Sequence, residues 1–263
     1  MVKLKTIDAK NFMTKTGLGH DFVCNPYGGC EHGCLYCYAQ TMPSYLSRVD
    51  KWGTYVDIKK YPNYNIPRNT GSKSLIFSSM TDAYQPIEAT IKNTQTILNN
   101  IFESNLQVSF LTKSALITRD INLFQQMKSV EIGFSIATND YWASIFEPKA
   151  SKPSERIEAL KILHQTGIRT YVFISPIIPF VTNVFEIIDS VKPYVDYFMF
   201  DKLNLKDINN KKRIFQVIQH QLPNKYNEFV EIFETSKQDF YVNLKNEIES
   251  YIKKENLSVH YLY

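Results

Sequence analysis

The sequence contains only four cysteines, and none of them lies outside the stretch from Cys24 to Cys37. Cysteines this close together would form only very small disulfide loops, so metal ligation or thiol chemistry is the better interpretation. No apolar run reaches the ~18 residues that are needed to cross a bilayer. The first residues, "MVKLKTIDAKNF", contain no apolar stretch of the signal-peptide type. We therefore expect a cytoplasmic protein without a membrane partner.

A strong charge of one sign is also missing, because the formal net charge is only +4. Residues 1–75 carry ten Lys or Arg and five Asp or Glu, a net of +5. The remaining 188 residues carry 20 and 21, a net of −1. The basic excess therefore lies in the quarter of the chain that holds the cysteines. It is compatible with an anionic partner there, although a solvated basic face is the simpler interpretation.

Short runs of β-branched and aromatic residues alternate with segments of helical periodicity. The predicted strands are residues 21–24, 74–79, 106–112, 130–138, 168–175 and 195–200, and the predicted helices between them are 87–104, 116–127, 153–165 and 182–191. The apolar runs are nearly continuous, which is typical of strands that are buried on both faces. We predict an α/β fold, a partial TIM-type (β/α)6 barrel with parallel strands. In such barrels the chemistry lies at the C-terminal ends of the strands.

The chain is predicted to contain a barrel core and a C-terminal extension. The core covers residues 1–206 and includes an excursion over residues 42–73, which is rich in Tyr, Pro and Asn and is expected beside the barrel mouth. Residues 207–263 form a mostly helical C-terminal extension packed on the barrel. Its last run, "LSVHYLY", is a candidate for an added edge strand.

The cysteines have a spacing that favours an iron–sulfur cluster over a single zinc ion. Cys30, Cys34 and Cys37 form the pattern C-x3-C-x2-C. Zinc ligands usually come as two pairs that are well separated in sequence, so that two knuckles face each other. Three ligands on one short loop suit a cubane cluster in which one iron is left open, as catalysis requires.

The residues around these cysteines leave alternatives open. Gly28, Gly29 and Gly33 allow the backbone to approach a bulky cluster closely. A zinc knuckle would need Cys24 or His32 as its fourth ligand. We favour a buried strand thiol for Cys24, because free cysteine is among the most buried residue types. His32 could hydrogen-bond a cluster sulfur or face solvent.

The segment "GGCEHGCLYCYA" resembles the signature of the radical SAM superfamily, C-x3-C-x-aromatic-C, with Tyr36 at the aromatic position. In that superfamily, S-adenosylmethionine chelates the open iron of a [4Fe-4S] cluster. An electron from the cluster cleaves it to methionine and a 5′-deoxyadenosyl radical, which abstracts a hydrogen atom. The resemblance implies a radical SAM enzyme with Cys30, Cys34 and Cys37 as cluster ligands. It also implies a flavodoxin- or ferredoxin-like electron donor.

Further segments are similar to the spore photoproduct lyase-like, or DNA-repair-photolyase-like, branch of that superfamily. They include "WGTYVDIKK", "SMTDAYQPIE", "LTKSALITRD" and "FSIATND", and the resemblance spans residues 22–205. It implies that Tyr36 lies beside the adenine of S-adenosylmethionine. It also implies that Thr81, Asp82, Lys113 and Ser135 bind this cofactor. Together with the basic N-terminal quarter, it favours a nucleic-acid substrate.

The chain departs from spore photoproduct lyase at the hydrogen-donor position. The lyase uses a cysteine after its second strand, and the matching residue here is Ser79. A serine O–H bond is far too strong to replace a thiol in hydrogen-atom donation, so thymine-dimer reversal by that route is not expected. Tyr38 matches the lyase's neighbouring tyrosine and is a candidate catalytic residue, although one tyrosine here is also common as packing.

Two other features have simple structural interpretations. We expect the carboxylates of Glu88 and Glu147 to pair with Arg119 or Arg156. Residues 51–68 interleave aromatic and basic side chains, as a surface for single-stranded nucleic acid would. The aromatic residues are Trp52, Tyr55, Tyr61 and Tyr64, and the basic residues are Lys51, Lys59, Lys60 and Arg68. Packing of these aromatics onto the barrel is the interpretation that we favour.

An interpretation from a different class remains beside the enzyme. The cysteine loop could belong to a non-catalytic zinc- or cluster-bearing module that binds nucleic acid or a partner protein. Cleavage of S-adenosylmethionine would distinguish the two.

Overall fold

The structure is a computed structural model that describes residues 2–42, 45, 48–66, 73–235 and 239–263. Its main feature is an eight-stranded sheet whose six central strands are parallel. In their hydrogen-bonded order these six strands are β3 (Phe22–Cys24), β6 (Ser74–Phe77), β7 (Gln107–Thr112), β8 (Val130–Ser135), β9 (Arg169–Ile177) and β10 (Tyr197–Lys202). Because their spatial order follows the chain order, each connection moves the chain one strand along the sheet.

The two edges of this sheet are formed by short strands. β2 (Thr14–Lys15) pairs antiparallel with β3, and β11 (Val259–Leu262) pairs parallel with β10. The sheet is therefore an open, partial barrel in the part of the chain that the structure describes. This arrangement confirms the predicted partial TIM-type fold, including the added strand at the C-terminal end of the chain.

The strands form because their side chains are buried on both faces. Phe77 lies opposite Cys24 on one neighbouring strand and opposite Phe110 on the other. The rings of Phe77 and Phe110 stack with centroids 4.5 Å apart, and both side chains are inaccessible to solvent. Burying an aromatic side chain of this size contributes ~1.5–3 kcal/mol relative to leaving it exposed. Because both faces of these strands are buried, apolar side chains occupy the strand interiors, and polar residues are found mainly at the strand ends.

A second, three-stranded sheet was not predicted. In it β1 (Lys3–Asp8) pairs parallel with β5 (Tyr55–Lys60), and β4 (Tyr27–Gly28) pairs antiparallel with β5. The predicted excursion over residues 42–73 therefore contains a strand. β1 was not predicted from the sequence, because it is exposed at nearly every position and therefore has no hydrophobic pattern.

Of the four helices predicted between the strands, two are present and two are broken up. Among the described residues up to 191, the α-helices are α1 (Glu88–Ile91), α2 (Asn93–Ile101), α3 (Ile121–Phe124), α4 (Asp140–Phe146), α5 (Pro153–Gln165) and α6 (Val184–Val191). The predicted helix 87–104 is interrupted at Lys92, which is left-handed with φ 54°. The predicted helix 116–127 is mainly a 3₁₀ turn over Ala115–Asp120.

Both interruptions have a cause in tertiary contacts. The Glu88 carboxylate accepts hydrogen bonds from the backbone N–H groups of Thr94 and Gln95 at 2.9 and 3.2 Å. It thereby satisfies orphan donors at the start of α2, which lets the chain restart a helix after Lys92. Arg119 pairs with this same carboxylate at 2.7 Å, which holds the 3₁₀ segment against it.

The C-terminal segment is mainly helical, as predicted. It contains α7 (Ile208–Gln221), α8 (Tyr226–Glu234) and α9 (Asp239–Glu255) before β11. Ile214 and Ile218 of α7 share a buried cluster with Phe146 and Ile178 of the barrel. The division of the chain at residues 206 and 207 stays a prediction. Among the described residues, no helix is both long and apolar enough to span a membrane.

Candidate active site

The loop that carries the three clustered cysteines begins directly after β4 and is held by close backbone contacts. Gly29 has φ +76°, and a Cβ atom there would lie 2.6 Å from the Tyr55 ring and 2.7 Å from its carbonyl oxygen. Gly33 has φ +62°, and its Cα would lie only 2.9 Å from a Cβ added at Gly53. These approaches require glycine. β5 of the second sheet, together with Gly53 just before β5, thus supports the cysteine loop.

A pair of polar contacts joins the loop to the segment after β6. The backbone N–H of Glu31 donates to Gln85 Oε1 at 2.8 Å, and Gln85 Nε2 donates to the Gly29 carbonyl at 3.3 Å. The Glu31 carboxylate in turn accepts from the backbone N–H of Ile87 at 2.6 Å. Gln85 is fully buried. This reciprocal clamp fixes the loop relative to the carboxyl ends of the barrel strands.

The three thiols of the loop influence one another electrostatically; Cys30 and Cys34 are buried and Cys37 is half-buried. Burial raises the pKa of Cys30, and the neighbouring charges of Asp82, Cys34 and Cys37 raise it further. Burial likewise raises the pKa of Cys34 to about 12 and raises the pKa of Cys37. Metal ligation needs thiolates, so binding a cluster here would release protons and make assembly depend on pH.

The structure separates Cys24 from the other three cysteines. Cys24 ends β3, is fully buried in the main core cluster and has a strongly raised pKa, because burial disfavours its thiolate. This is the strand position that we favoured. Within the described residues, no three His, Cys, Asp or Glu side chains are grouped as ligands for one metal ion. Three cysteines on one glycine-rich loop fit a cluster, in which each thiolate binds a different iron.

Asp82 is the centre of a hydrogen-bond network at the carboxyl ends of β6 and β7. One carboxylate oxygen accepts from the backbone N–H of Tyr84 at 2.8 Å and from Thr112 Oγ1 at 2.7 Å. The other accepts from the backbone N–H of Lys113 at 2.8 Å and lies 3.5 Å from His32 Nδ1. His32 is buried rather than exposed. Asp82 therefore connects His32 of the cysteine loop with the backbone of Lys113.

Tyr36 lies next to Lys113 and contacts the buried ion pair of Glu147 and Arg156. The Tyr36 hydroxyl donates to Glu147, which pairs with Arg156; both side chains of this pair are almost inaccessible. Lys113 Nζ lies 5.7 Å from the centroid of the Tyr36 ring. Burial lowers the pKa of Lys113, but the charges of Cys34 and Glu147 outweigh it and hold the pKa above its ordinary value. Lys113 thus stays positive beside the loop, and Glu147 and Arg156 pair as expected.

The remaining predicted site residues are at strand ends, but two of their hydroxyls have partners within the barrel. Ser135 Oγ donates to the Ser175 carbonyl at 3.0 Å and is buried. Thr81 follows β6, with Oγ1 3.5 Å from Ser78 Oγ. Tyr38 is 54% exposed, and its hydroxyl donates to the Ser79 carbonyl at 2.6 Å. Tyr38 therefore contacts Ser79, in the segment that follows β6.

One group of residues at the loop was missed by the sequence interpretation. Asn210 and Arg213 of α7 reach the cysteine loop and contact Cys37 and Gln40. Asn210 is only 2% exposed. It lies 173 positions from Cys37 in the chain, so no local pattern could have indicated the contact.

The aromatic residues of 51–68 mostly pack inside the protein. Tyr55 is 3% exposed, and Tyr61 and Tyr64 stack edge to face with the buried Phe12. Trp52 lies edge-on to Tyr55 with centroids 6.3 Å apart. These contacts favour the packing interpretation over an open stacking surface. Arg68 lies outside the described residues.

Comparison with known families identifies the chain. The family model described as the radical SAM superfamily matches residues 24–189, more than half of the chain. The chain belongs to the radical SAM superfamily. It is therefore an enzyme, and its chemistry is of the radical SAM type, which implies S-adenosylmethionine, an iron–sulfur cluster and a reductant. The interpretation as a non-catalytic binding module is thereby wrong.

Two relatives differ in how much of this chain they match. An uncharacterized protein from Methanocaldococcus jannaschii is 36% identical over 98% of this chain and 96% of its own length. A radical SAM Nalpha-GlyT isomerase from Pseudomonas phage M6 is 26% identical over 59% of this chain and 32% of its own length. Likeness therefore extends over the whole chain in the first case and over part of it in the second.

Solved structures agree with the fold. A mutant of spore photoproduct lyase superposes with a TM-score of 0.68 at 15% identity, over 99% of this chain and 82% of that one. Spore photoproduct lyase complexed with a dinucleoside spore photoproduct gives a TM-score of 0.68 at 14% identity with the same coverage. At these identities the likeness shows a shared radical SAM fold.

Proposed function

We propose that this radical SAM enzyme holds a [4Fe-4S] cluster on Cys30, Cys34 and Cys37 and acts on a nucleic-acid substrate. The observation that supports the proposal is the position of three thiols, two buried and one half-buried, on one clamped, glycine-rich loop next to a positive Lys113 at the strand ends. When bound, the cluster would supply the electron that cleaves S-adenosylmethionine to a 5′-deoxyadenosyl radical for hydrogen abstraction.

The residues beside the loop can divide the binding of the cofactor among them. The Lys113 ammonium would attract the carboxylate of S-adenosylmethionine, and the Tyr36 ring offers a face beside the adenine. Asp82 would act by fixing the backbone of Lys113, and the hydroxyls of Thr81 and Ser135 complete the polar strand ends. Tyr38 is exposed on the same side and is our candidate for a catalytic contact with the substrate.

Anaerobic reconstitution tests the cluster assignment. The wild-type protein should bind about four irons and give a reduced-cluster EPR signal that changes when S-adenosylmethionine is added. Cys30→Ala, Cys34→Ala and Cys37→Ala should each lose the cluster. Cys24→Ala should keep it, because Cys24 is a core residue of β3. A colourless protein that holds a single zinc ion would refute the assignment.

A second experiment tests the cofactor site separately from the cluster. Lys113→Met and Asp82→Asn should retain iron but lose most of the 5′-deoxyadenosine that HPLC detects after reduction with dithionite. Lys152→Met, an exposed lysine just before α5, is the matched control and should leave this product unchanged. Full product formation by Lys113→Met would remove Lys113 from the site. A flavodoxin or ferredoxin that replaces dithionite would support the proposed electron donor.

The nucleic-acid substrate is supported by the N-terminal charge excess, +5 over residues 1–75, and by the fold shared with a lyase that binds a dinucleoside photoproduct. Binding to single-stranded oligonucleotides should weaken as salt rises, since phosphate contacts release counterions. Affinity that does not change between 50 and about 200 mM salt would argue against nucleic acid. Ser79 speaks against thymine-dimer reversal by a thiol donor, so we do not propose that reaction.

A further inference from the structure

The helix α7 forms hydrogen bonds with the peptide of the last cluster cysteine. Asn210 Nδ2 donates to the Cys37 carbonyl at 3.1 Å, and Gln40 Nε2 donates to the same oxygen at 2.8 Å. Arg213 Nη2 donates to Gln40 Oε1 at 2.8 Å and to Asn210 Oδ1 at 2.7 Å. Both donors of the Cys37 carbonyl are therefore held in place by one guanidinium group.

The backbone that carries Asn210 is itself fixed. Asp207 caps the start of α7, and its carboxylate accepts from the backbone N–H of Asn210 at 2.7 Å. The Asn210 side chain also donates to Cys37 while its oxygen accepts from Gln40 and Arg213. One N–H and both acceptor sites of this amide are thus used, so its neighbours determine its orientation.

Apolar packing joins the same two elements independently. Leu35 and Tyr36 of the cysteine loop pack against a buried cluster that includes Ile214 and Ile218 of α7 and Phe229 of α8. The backbone N–H of Leu35 also donates to the Phe146 carbonyl at 2.9 Å, within this cluster. Helices from the C-terminal segment therefore support the loop in addition to the second sheet.

We propose that α7 is part of the cluster site and that Asn210 is a positioning residue, which fixes the peptide of Cys37 and thereby stabilises the bound cluster. This inference rests on the proposed function, since it requires a cluster on Cys37. Asn210 lies beyond residues 24–189, the part that the family model matches. The family-wide pattern therefore does not include it. Hydrogen bonds that orient a metal ligand commonly tune both the affinity for the metal and its potential.

The matched variants are Asn210→Asp and Asn209→Asp. Asn210→Asp keeps the size of the side chain and an acceptor for Arg213 but removes the N–H that donates to Cys37. Asn209→Asp makes the same chemical change one residue earlier on the exposed side of α7. Arg213→Met is a further variant, which removes the guanidinium that holds both donors without changing Asn210.

The experiment measures iron release to a chelator, the cluster's midpoint potential and the melting temperature of the cluster-free protein. One net hydrogen bond changes an equilibrium or a rate by about two- to tenfold. We expect Asn210→Asp to release iron about two- to tenfold faster than wild type. We also expect the midpoint potential of its cluster to be lower than that of Asn209→Asp. Arg213→Met should also release iron faster. The melting temperatures should agree between Asn210→Asp and Asn209→Asp.

The outcomes separate this inference from the proposed function. If the wild-type protein binds no cluster, the proposed function fails. If the wild type binds about four irons but Asn210→Asp and Arg213→Met release them at the rate of Asn209→Asp, the inference about α7 is wrong. Faster release with an unchanged potential and a lowered melting temperature would show that α7 acts on general stability only, and it would overturn the positioning role.

Discussion

Replacing Glu147 with glutamine should destabilise the protein strongly, although Glu147 is not a cluster ligand. Glu147 and Arg156 form an ion pair in which the side chains are 1% and 0% exposed. Glu147→Gln keeps the shape and an acceptor for the Tyr36 hydroxyl, but it leaves the Arg156 charge buried without a counter-ion. Breaking one partner of a buried ion pair typically costs about 3–5 kcal/mol.

The contacts that Arg156 keeps favour a loss of unfolding free energy near the lower end of that range. Arg156 retains two backbone acceptors, the carbonyls of Ser151 and Ser135, each at 2.8 Å. These hydrogen bonds partly compensate the charge, so we expect a loss of about 3 kcal/mol in the free energy of unfolding. For a chain of this size that loss lowers the melting temperature by about 6–12 °C. Circular dichroism should be measured with both proteins in the same cluster-loading state.

The effect should also depend on pH. Burial raises the pKa of Glu147, but the charges of Arg156 and Lys113 outweigh it and hold the pKa below its ordinary value. A depressed carboxyl pKa gives stability that is present above the unfolded pKa of ~4.3 and is lost as pH falls through the folded pKa. The difference between wild type and Glu147→Gln should therefore be largest near neutral pH and should shrink below about pH 4.

Glu158→Gln is the matched control, because Glu158 pairs with Lys161 at 3.4 Å on the same helix as Arg156 but is 64% exposed. A surface pair of this kind is worth only ~0.3–0.5 kcal/mol. If Glu147→Gln lost no more stability than Glu158→Gln, or if its deficit did not shrink in acid, the buried pair would not have the structural role that we assign to it.

Three further predictions concern packing around the site. Gly133→Ala should lower stability by ~1–3 kcal/mol in chemical denaturation, because the new Cβ would lie 2.1 Å from the Tyr171 ring, whereas Gly17→Ala has nothing within 4 Å and should change little. Gly29→Ala should reduce the iron bound on reconstitution. The left-handed backbone at Gly29 and the 2.7 Å approach to the Tyr55 carbonyl oxygen leave no room for a methyl group. Full iron content in this variant would contradict the prediction. Gln85→Leu should also lower iron binding, because it removes both hydrogen bonds from Gln85 to the cysteine loop, while an unchanged iron content would show that the clamp is dispensable.

The sequence predicts those parts of the fold that local signals determine. α5 runs from Pro153 to Gln165 as expected, because proline favours the first helical position and Gly167 follows just past the end. The six barrel strands were found from their apolar runs, since burial on both faces leaves a clear pattern. The cysteine loop was found because three thiols at close spacing have few other uses.

The missed features depend on particular contacts that the hydrophobic pattern does not show, and most of these contacts join distant parts of the chain. The break at Lys92 follows from hydrogen bonds between Glu88 and the start of α2, and the 3₁₀ turn that carries Arg119 follows from its pairing with that same carboxylate. β1 is largely exposed, and its backbone pairs with that of β5. Asn210 lies one and two helical turns before the buried Ile214 and Ile218, so the helical spacing places it on the buried face, but nothing within the helix indicates that its partner is Cys37.

The contact between α7 and the cysteine loop also has a consequence for the order of events during synthesis. Cys37 and Asn210 are 173 residues apart, and ribosomes add about 5–20 residues per second. The thiols therefore leave the ribosome about 9–35 s before the helix that closes over them. During that interval the Cys37 carbonyl lacks its hydrogen bond from Asn210, and the apolar cluster beside Leu35 and Tyr36 lacks Ile214 and Ile218. The unfinished chain therefore presents the cysteine loop without the contacts from α7 that we propose stabilise a bound cluster.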